Sequence, residues 1–399
     1  IIRGNVNLNK KFDSGDQVID AIDEYLTQHA SEFPQLQTDR ATISLIKDIT
    51  ILSERGGAME AAMNDEMNNS PITTLPSAIY LMGPDITRAT NRNRVFNAAL
   101  TSVAIATTWY MSINTYFLNP AYAKRAEEQV ALADSNMEYD LSFITDQSIQ
   151  IFLALAGIQL LHEVAQVTVA NIYGLNTTFP TFIPSPVTGF TSSITEFKEP
   201  PKNREQMFDY AVVGPFAGLL ASLVAFSLGL ELTAIAPSVA DFPALPLQIL
   251  RQSTLGAALI ENILGQATLK VPEGALADSA NLLATINIPL HPIAIAGLTG
   301  MFINALALLP IGCTDGGRVA EAMLDRQFKV AISQIATAGL LIMGFFGGND
   351  LYLLYGLSCL FFQRSAEIPP RNEVDDISFS RILFGISIGI TTLLILVPV

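Results

Sequence analysis

The most unusual polar side chains of this sequence lie in a long apolar stretch, where His162 and Glu163 are adjacent and Gln166 follows. Ionisable groups inside a membrane helix are costly and point to a function. Residues four apart lie on one face of a helix, so His162 and Gln166 point the same way. With histidine at both positions, two imidazoles would hold zinc and the glutamate would activate a bound water. In this chain an amide takes the place of the second imidazole.

A second polar cluster contains Asp315. Pro310, Gly316 and Gly317 interrupt the helix around it and free the backbone to bend. Asp315 is then a carboxylate at membrane depth on irregular backbone, which is tolerated only inside protein or beside a wet cavity. We expect Asp315 to lie on the same side of the membrane as the inner half of the helix that carries His162. A third metal ligand belongs at that place.

The missing imidazole decides how well these residues can hold zinc. A neutral amide oxygen is a weak ligand, and catalytic zinc needs three protein ligands from His, Cys, Asp or Glu. Only three histidines are present. His291 precedes Asp315 by a helical path of roughly 28 Å, and His29 belongs to the soluble part of the chain. We therefore expect no tight zinc binding at these residues.

The composition is that of a polytopic membrane protein with an acidic soluble part. Of 399 residues, 50% are apolar and 15% are charged, against about 25% charged in an average soluble domain. The mean hydropathy of +0.38 excludes a disordered or fibrous chain. A net charge of -15 without a basic stripe excludes a nucleic-acid binder. Cys313 and Cys359 are too few for a disulfide framework, and we interpret them as packed, reduced thiols.

Two domains are predicted from the change in composition along the chain. Residues 1–90 are expected to form a small soluble domain and linker, and residues 91–399 the membrane domain. The stretch from Ile1 to Arg88 carries 13 acidic and 7 basic residues, a local charge of -6. The polar, turn-rich residues 64–76 are typical of a linker.

The soluble domain is predicted to be mainly helical. Residues 16–33 have helical spacing, and Ser14 is the expected N-cap. Asp39 is expected to cap a second helix that runs through residues 43–49.

The membrane domain contains seven predicted spans, by the rule that about 20 apolar residues cross the hydrocarbon. The sixth is short and either spans or is half-inserted, and an amphipathic eighth stretch at 245–264 either lies in the interface or re-enters. With the N-terminal domain inside, twelve Lys and Arg residues flank the inner ends and four lie in the outer loops. We expect an all-α polytopic fold of seven to eight transmembrane helices with a small hairpin. The seven spans are residues 95–118, 149–173, 210–232, 290–310, 330–346, 351–362 and 382–399.

Several separated motifs, in the same order, resemble the site-2 protease family of intramembrane metalloproteases. Within that family the chain resembles the plastid EGY-type members (ethylene-dependent gravitropism-deficient and yellow-green). The resemblance covers residues 149–399, and residues 2–5 are similar to a Gly-Asn-rich segment of the EGY soluble domain. The motifs are Phe-Ile-Pro-Ser at 182–185, Ile-Thr-Glu-Phe-Lys at 194–198, Asn-Arg at 203–204, Gly-Pro-Phe-Ala-Gly at 214–218, His-Pro-Ile-Ala-Ile-Ala-Gly at 291–297, and residues 309–318 with their Asp-Gly-Gly.

The resemblance implies a role for each polar residue of the two clusters. His162 matches the first zinc ligand, Glu163 the general base and Asp315 the third ligand. Gln166 stands where the second histidine ligand is expected. Cys313 is usual in EGY-like chains with complete motifs, so it does not replace the missing ligand.

One further position departs from the family pattern. Ala307 stands where the family usually has asparagine, and Asn304 lies one turn earlier. The family also contains members that lack the zinc motif, so a chain without a complete motif fits within it.

The same residues also have structural interpretations. His162 and Glu163 could form a buried pair that fixes two helices, with Gln166 bonding between helices. Asp315 could cap the bend and pair with Arg318.

Two neighbouring motifs likewise leave two readings open. The pattern Gly214-Pro215 to Gly218 favours close helix packing over a substrate gate. Residues 191–197 either present a substrate strand by edge pairing or plug the bundle as a hairpin.

We therefore predict a catalytically inactive EGY-type homologue that serves as a binding, assembly or structural subunit of a thylakoid complex. A residual zinc intramembrane metalloprotease is the alternative, and a transporter is disfavoured because the spans show no inverted repeat. Expected partners are membrane proteins, such as a photosystem or another thylakoid complex, and the lipid bilayer, but not nucleic acid. No cofactor is expected, with zinc reserved for the active alternative and bound lipid or pigment left open. The resemblance implies a multi-pass plastid membrane protein, in the thylakoid, with its N-terminal domain on the stromal side.

Overall fold

A three-stranded sheet and one helix form the N-terminal part of the protein. The computed structural model describes residues 2–6, 14–28, 42–47, 75–82, 91–135, 137–270, 285–324, 326–363 and 367–399. Both outer strands pair antiparallel with the central one, in the order β1-β3-β2. The elements are β1 (Ile2–Val6), α1 (Gly15–Gln28), β2 (Thr42–Lys47) and β3 (Leu75–Met82).

The prediction of a second helix through residues 43–49 is wrong, because this part of the chain forms strand β2. The β-branched residues Ile43 and Ile46 favour extended backbone when a partner strand is present. That partner is β3, where Ile79 lies opposite the buried Leu45. The described residues of the N-terminal part are therefore mixed α/β and not mainly helical.

Helix α1 confirms the first predicted helix and its N-cap. The Ser14 hydroxyl oxygen accepts a hydrogen bond from the backbone N–H of Gln17 at 3.4 Å, as expected of an N-cap serine. The other expectations here, at residues 29–33, Asp39 and 64–74, fall outside the described residues.

Asn372 joins the N-terminal part to the membrane domain. It is completely buried, and its side-chain N–H groups donate to Asp16 at 2.9 Å and to Asp375 at 2.7 Å. The backbone N–H of Gly15 donates to the same Asp375 carboxylate at 3.0 Å. A Cβ at Gly15 would lie 2.5 Å from the Asn372 Oδ1 atom. The start of α1 is thus held by a buried polar contact, while the domain boundary at residue 90 stays a prediction.

The membrane domain is mostly helical and begins with two connected helices. Its elements are α2 (Asn91–Phe117), α3 (Pro120–Asp134), α4 (Ser142–Tyr173), β4 (Thr181–Ser185), β5 (Gly189–Ile194), α5 (Arg204–Ile235), β6 (Ala244–Pro246), α6 (Leu247–Leu250), α7 (Thr254–Leu264), β7 (Asn287–Pro289), α8 (Pro292–Ala307), α9 (Asp315–Met323), α10 (Arg326–Gly347), α11 (Asp350–Phe362) and α12 (Phe379–Leu396).

Four of these helices are long and apolar enough to cross a membrane, counted over the described residues. They are α4, α5, α10 and α12, so four of the predicted spans have the required length and apolarity. Helices α7, α8 and α11 are apolar but have 11, 16 and 13 residues. The predicted stretch at 245–264 is divided between β6, α6 and α7. The count of seven to eight spans therefore stays a prediction.

Helix α8 lies at the centre of the helical bundle, with 15 of its 16 residues buried. Pro292 stands at its first turn, where a missing N–H costs nothing, and the His291 side chain accepts from the backbone N–H of Ile293 at 3.3 Å. A Cβ at Gly297 would lie only 2.7 Å from the Phe226 Cα atom of α5. The absence of a side chain there lets α5 and α8 pack backbone to backbone.

The predicted small hairpin is confirmed as β4 and β5, an antiparallel pair that packs against α2. Its turn ends at Gly189, whose φ of 85° suits glycine. A Cβ there would lie 2.7 Å from the Thr108 Cα atom of α2. Three small sheets occur among the described residues, so the fold is mostly helical rather than strictly all-α.

Adding a methyl group at the α5–α8 contact tests the packing of the bundle. We expect Gly297→Ala to destabilise the protein by about 1–3 kcal/mol, because overpacking must push two helix backbones apart. Gly339→Ala is the matched control, since a Cβ at Gly339 has no neighbour within 4 Å. Thermal unfolding of the detergent-purified protein measures both. Equal unfolding temperatures for the two variants would contradict this packing.

Removing the Asn372 amide tests the junction with the N-terminal part. We expect Asn372→Ala to raise the rate at which limited trypsin digestion releases that part by about ten-fold, because buried partners lose their hydrogen bonds. Asn176→Ala is the control, because its amide bonds Glu199 on the exposed surface at 3.1 Å. An unchanged cleavage rate in Asn372→Ala would show that the junction does not depend on this residue.

Candidate functional site

Helix α4 turns its polar face into the protein. Gln159, His162, Glu163 and Gln166 are all buried, and their spacing of three and four residues places them on one side of the helix. The apolar residues between them, such as Leu160, are exposed. This distribution, with apolar residues exposed and polar residues buried, is the reverse of that in a helix of a soluble protein. It suits a helix surrounded by lipid.

Asp315 is the first residue of α9 and is held there by a tight turn. The Thr314 hydroxyl accepts from the backbone N–H of Gly317 at 3.0 Å and thereby caps the helix. Gly312, with a φ of 49°, supplies the left-handed residue of the bend. A Cβ at Gly316 would collide with the Leu308 carbonyl group. The bend therefore depends on these glycines, and Thr314, not Asp315, is the cap.

The structure brings Gln166 and His162 of α4 to the Asp315 carboxylate. The Gln166 side-chain N–H donates to Asp315 Oδ1 at 2.9 Å. His162 Nε2 lies 3.6 Å from Asp315 Oδ2. All three side chains are buried. Residues separated by about 150 positions thus meet, as expected from the two sequence clusters.

Asn304 of α8 orients the imidazole. Its Nδ2 donates to the Gly300 carbonyl at 2.9 Å, so its Oδ1 accepts from His162 Nδ1 at 2.7 Å. His162 Nε2 is left buried without a hydrogen bond in the described structure. A histidine that binds a metal through one ring nitrogen commonly donates the N–H of the other to an acceptor of this kind. Sequence alone marks Asn304 only as a neighbour of Ala307 and does not identify it as the partner of His162. The available signal is that Asn304 is the one amide side chain in α8.

Gly214 and Gly218 of α5 make room for this cluster. A Cβ at Gly214 would lie 2.6 Å from Gln166 Cγ and 2.8 Å from His162 Nε2. A Cβ at Gly218 would overlap the Asn304 side chain. Both glycines and the intervening Pro215 are buried. The small-residue pattern therefore admits polar side chains close to the α5 backbone, which agrees with the packing interpretation.

Arg318 is a second buried partner of Asp315. Its Nη1 atom lies 3.5 Å from Asp315 Oδ1, and its Nε atom donates to Glu367 Oε2 at 2.5 Å. It also donates to the Thr195 carbonyl, just beyond β5. The guanidinium lies 4.8 Å from the ring centroid of Phe197. The predicted pairing of Asp315 with Arg318 is present. Arg318 also pairs with Glu367, a carboxylate 49 residues further along the chain.

Glu163 has a separate partner within α4. Its Oε1 atom accepts a hydrogen bond from the Gln159 side chain at 2.7 Å, and both groups are buried. The expected general base is therefore held by an amide one turn earlier on the same helix.

These residues do not fit a catalytic zinc ion. Such a site needs three ligands from His, Cys, Asp or Glu, and the cluster supplies His162 and Asp315. At the position of the third ligand stands Gln166. Its amide N–H donates a hydrogen bond to Asp315 Oδ1, a carboxylate oxygen that a bound metal ion would need as a ligand. No cluster of three or more such ligand residues occurs in the described part of the chain. The site is better suited to internal hydrogen bonding than to a tightly held cation.

Comparisons with known proteins match most of the membrane domain to one protein family. Residues 150–347 match peptidase family M50. The Arabidopsis thaliana protein named probable zinc metalloprotease EGY1, chloroplastic, is 30% identical over 285 residues, which is 71% of this chain and 48% of that protein. The Oryza sativa subsp. japonica protein of the same name is 32% identical over 246 residues, 62% of this chain and 40% of that protein.

A further relative carries a different EGY name. The Arabidopsis thaliana protein named probable zinc metallopeptidase EGY3, chloroplastic, is 29% identical over 257 residues, 62% of this chain and 42% of that protein. This chain thus spans less than half the length of the curated relatives it matches. No solved structure matches it. The matched domain contains the whole polar cluster of α4, α8 and α9, and the chain belongs to the site-2 protease family, peptidase family M50, among its EGY-type members.

Proposed function

We propose that this chain is a catalytically inactive EGY-type homologue that binds other membrane proteins, as an assembly or structural subunit of a plastid membrane complex. The observation that carries the proposal is the hydrogen bond from the Gln166 amide to Asp315 at 2.9 Å. It stands at the position where the family resemblance calls for a histidine ligand. A donor at that position satisfies the carboxylate without a metal ion.

Electrostatics favours this orientation of the amide. Reversing Gln166 would place its oxygen against an oxygen of Asp315, and two acceptors at hydrogen-bonding distance repel each other. Arg318 adds a positive charge 3.5 Å from the same carboxylate oxygen. A buried carboxylate needs such partners. The amide and the guanidinium together replace part of the charge compensation that a cation would provide.

The proposed location and partners follow from the relatives and the helices. The relatives carry names that end in chloroplastic, and four helices have the length and apolarity of membrane spans. These observations support a plastid membrane protein. Within this proposal we place the protein in the thylakoid, its N-terminal domain on the stromal side, and a photosystem-sized complex as its partner.

A residual zinc metalloprotease is the second candidate function. The observation that favours it is His162, whose Nδ1 donates to Asn304 while Nε2 faces Asp315 without a hydrogen bond. This is the orientation of a metal ligand. The names of the relatives, zinc metalloproteases, support the same candidate.

Restoring the missing imidazole separates the two candidates. We expect the purified wild-type protein to hold far less than one zinc per chain, and Gln166→His to hold about one, because it completes a three-ligand site. Metal content by mass spectrometry after desalting gives the measurement. Gln166→Leu is the control, since it removes the amide without adding a ligand. Zinc at one per chain in the wild-type protein would contradict the proposal.

Protease activity provides an independent test of the inactive state. We expect wild-type protein and Glu163→Gln to release indistinguishable amounts of product from a fluorescent transmembrane substrate in proteoliposomes. The reason is that no metal-activated water is available for Glu163 to deprotonate. Cleavage by the wild-type protein that is lost in Glu163→Gln would establish the metalloprotease alternative.

The subunit role is tested by the size and composition of the native particle. We expect the chain to migrate with a membrane complex on native gels of plastid membranes, at a fixed copy number. Quantitative mass spectrometry of the excised band measures that ratio. A chain that migrates alone, or at a ratio that varies between preparations, would contradict a structural subunit.

A further inference from the structure

A cavity of about 570 Å³ lies between α10 and α11, behind the bend that carries Asp315. We call it the α10–α11 cavity. It is bordered by Gly312 of the bend and by Gln363 at the end of α11. Its volume lies within the range of known small-molecule sites. Helix α10 is the least buried of the four candidate spans, with 11% of its apolar window buried, so this side of the bundle faces the surroundings.

The lining of the cavity changes from polar to apolar along α10. Ser333, Gln334 and Thr337 line the half towards the start of the helix, and Leu341 lines the half beyond. The stretch from Lys329 to Leu341 is about 18 Å long at the helical rise. The cavity is therefore polar near the start of α10 and apolar near the middle of that helix. This pattern suits an amphipathic molecule that lies along the span.

The Gln334 side chain is the most informative group. Gln334 is exposed, and its amide makes no hydrogen bond with the residues that the structure describes. It lies six residues into the span that starts at Phe328, or about 9 Å along the helix. An amide at that depth facing hydrocarbon alone is unfavourable. A polar group of a ligand within the cavity would satisfy it.

The charges among the described residues of the cavity give no preference for an ion. Among the described lining residues the charged one is Lys329, and its ammonium group donates to Glu321 at 2.8 Å. Both side chains are buried, so the pair is locally neutral. The remaining polar lining consists of hydroxyl and amide groups, which both donate and accept hydrogen bonds.

From these features we infer that the α10–α11 cavity binds a membrane lipid with an uncharged, hydroxyl-bearing headgroup. The headgroup hydroxyls bond Gln334 and Thr337, and an acyl chain follows the apolar half past Leu341. The Thr337 hydroxyl already donates to the Ser333 carbonyl at 2.7 Å, so its oxygen needs a donor, as does the Gln334 amide oxygen. A phosphocholine headgroup can accept from the Gln334 amide N–H but has no donor for these two oxygens, and an anionic headgroup gains nothing from the neutral Lys329–Glu321 pair. This inference does not depend on whether the chain is a protease.

The site also touches the bend that holds Asp315. The Ser333 hydroxyl accepts from the backbone N–H of Gly312 at 2.9 Å, and Gln363 accepts at its backbone carbonyl from Cys313 at 3.1 Å. Both residues line the cavity. A bound lipid would therefore pack against the two residues that support this bend, Ser333 through its hydroxyl and Gln363 through its backbone carbonyl.

Lipid retention by the full-length protein tests the inference. The protein is reconstituted in phosphatidylcholine nanodiscs that contain a small fraction of either glucosyl diacylglycerol or phosphatidylglycerol with the same acyl chains. Native mass spectrometry then counts the lipids retained per chain. We expect retention of the glucosyl lipid over the other two, and about five-fold less of it in Gln334→Leu, because that variant loses the amide hydrogen bonds.

The control is Ser387→Leu, which removes an exposed hydroxyl from the span α12, where it bonds only its own helix at Leu383. This variant is expected to retain the glucosyl lipid like the wild-type protein, with thermal unfolding confirming that both variants fold. Equal retention of glucosyl and anionic lipid, or unchanged retention in Gln334→Leu, overturns the inference. Loss of a co-purifying membrane protein from Gln334→Leu, with lipid retention unchanged, would assign the cavity to a protein partner instead.

Discussion

The charge on Asp315 is the constraint around which this bundle is arranged. The carboxylate is 7% exposed among apolar helices, where an uncompensated charge would cost several kcal/mol. Gln166, His162 and Arg318 approach it from two helices. In a family whose curated relatives are named zinc metalloproteases, a cation would take part of this role. Here side chains of the protein itself surround the carboxylate.

Compensating that charge restricts the elements around it. The bend at the start of α9 needs Gly316 and Gly317, because a Cβ at either would strike neighbouring backbone. Helix α5 must present glycine opposite His162 and Asn304. Arg318, buried beside Asp315, must in turn be balanced, and Glu367 provides the second carboxylate. These packing requirements concern the space between backbone and side chains, so they do not themselves depend on a bound metal ion.

The parts of this arrangement that sequence could predict are those encoded locally. The spacing of His162 and Gln166 on one helix face, the glycine-rich bend and the hairpin are each contained in a short segment. The helix predicted at β2 is wrong because Ile43 and Ile46 also satisfy a helical spacing of three, and the partner strand β3 that favours extended backbone lies about 30 residues away. Asn304 and Glu367 could not be assigned as partners, because contacts over 142 and 49 residues depend on how the helices pack.

The account depends most directly on whether the wild-type cluster binds zinc. Isothermal titration of zinc into the purified, metal-free protein, with Asp315→Asn as reference, measures this without reliance on a substrate. The account predicts the same weak, unsaturable heats for both proteins. A saturable heat with one zinc per wild-type chain that disappears in Asp315→Asn would contradict it and would identify this chain as a metal-binding member of its family.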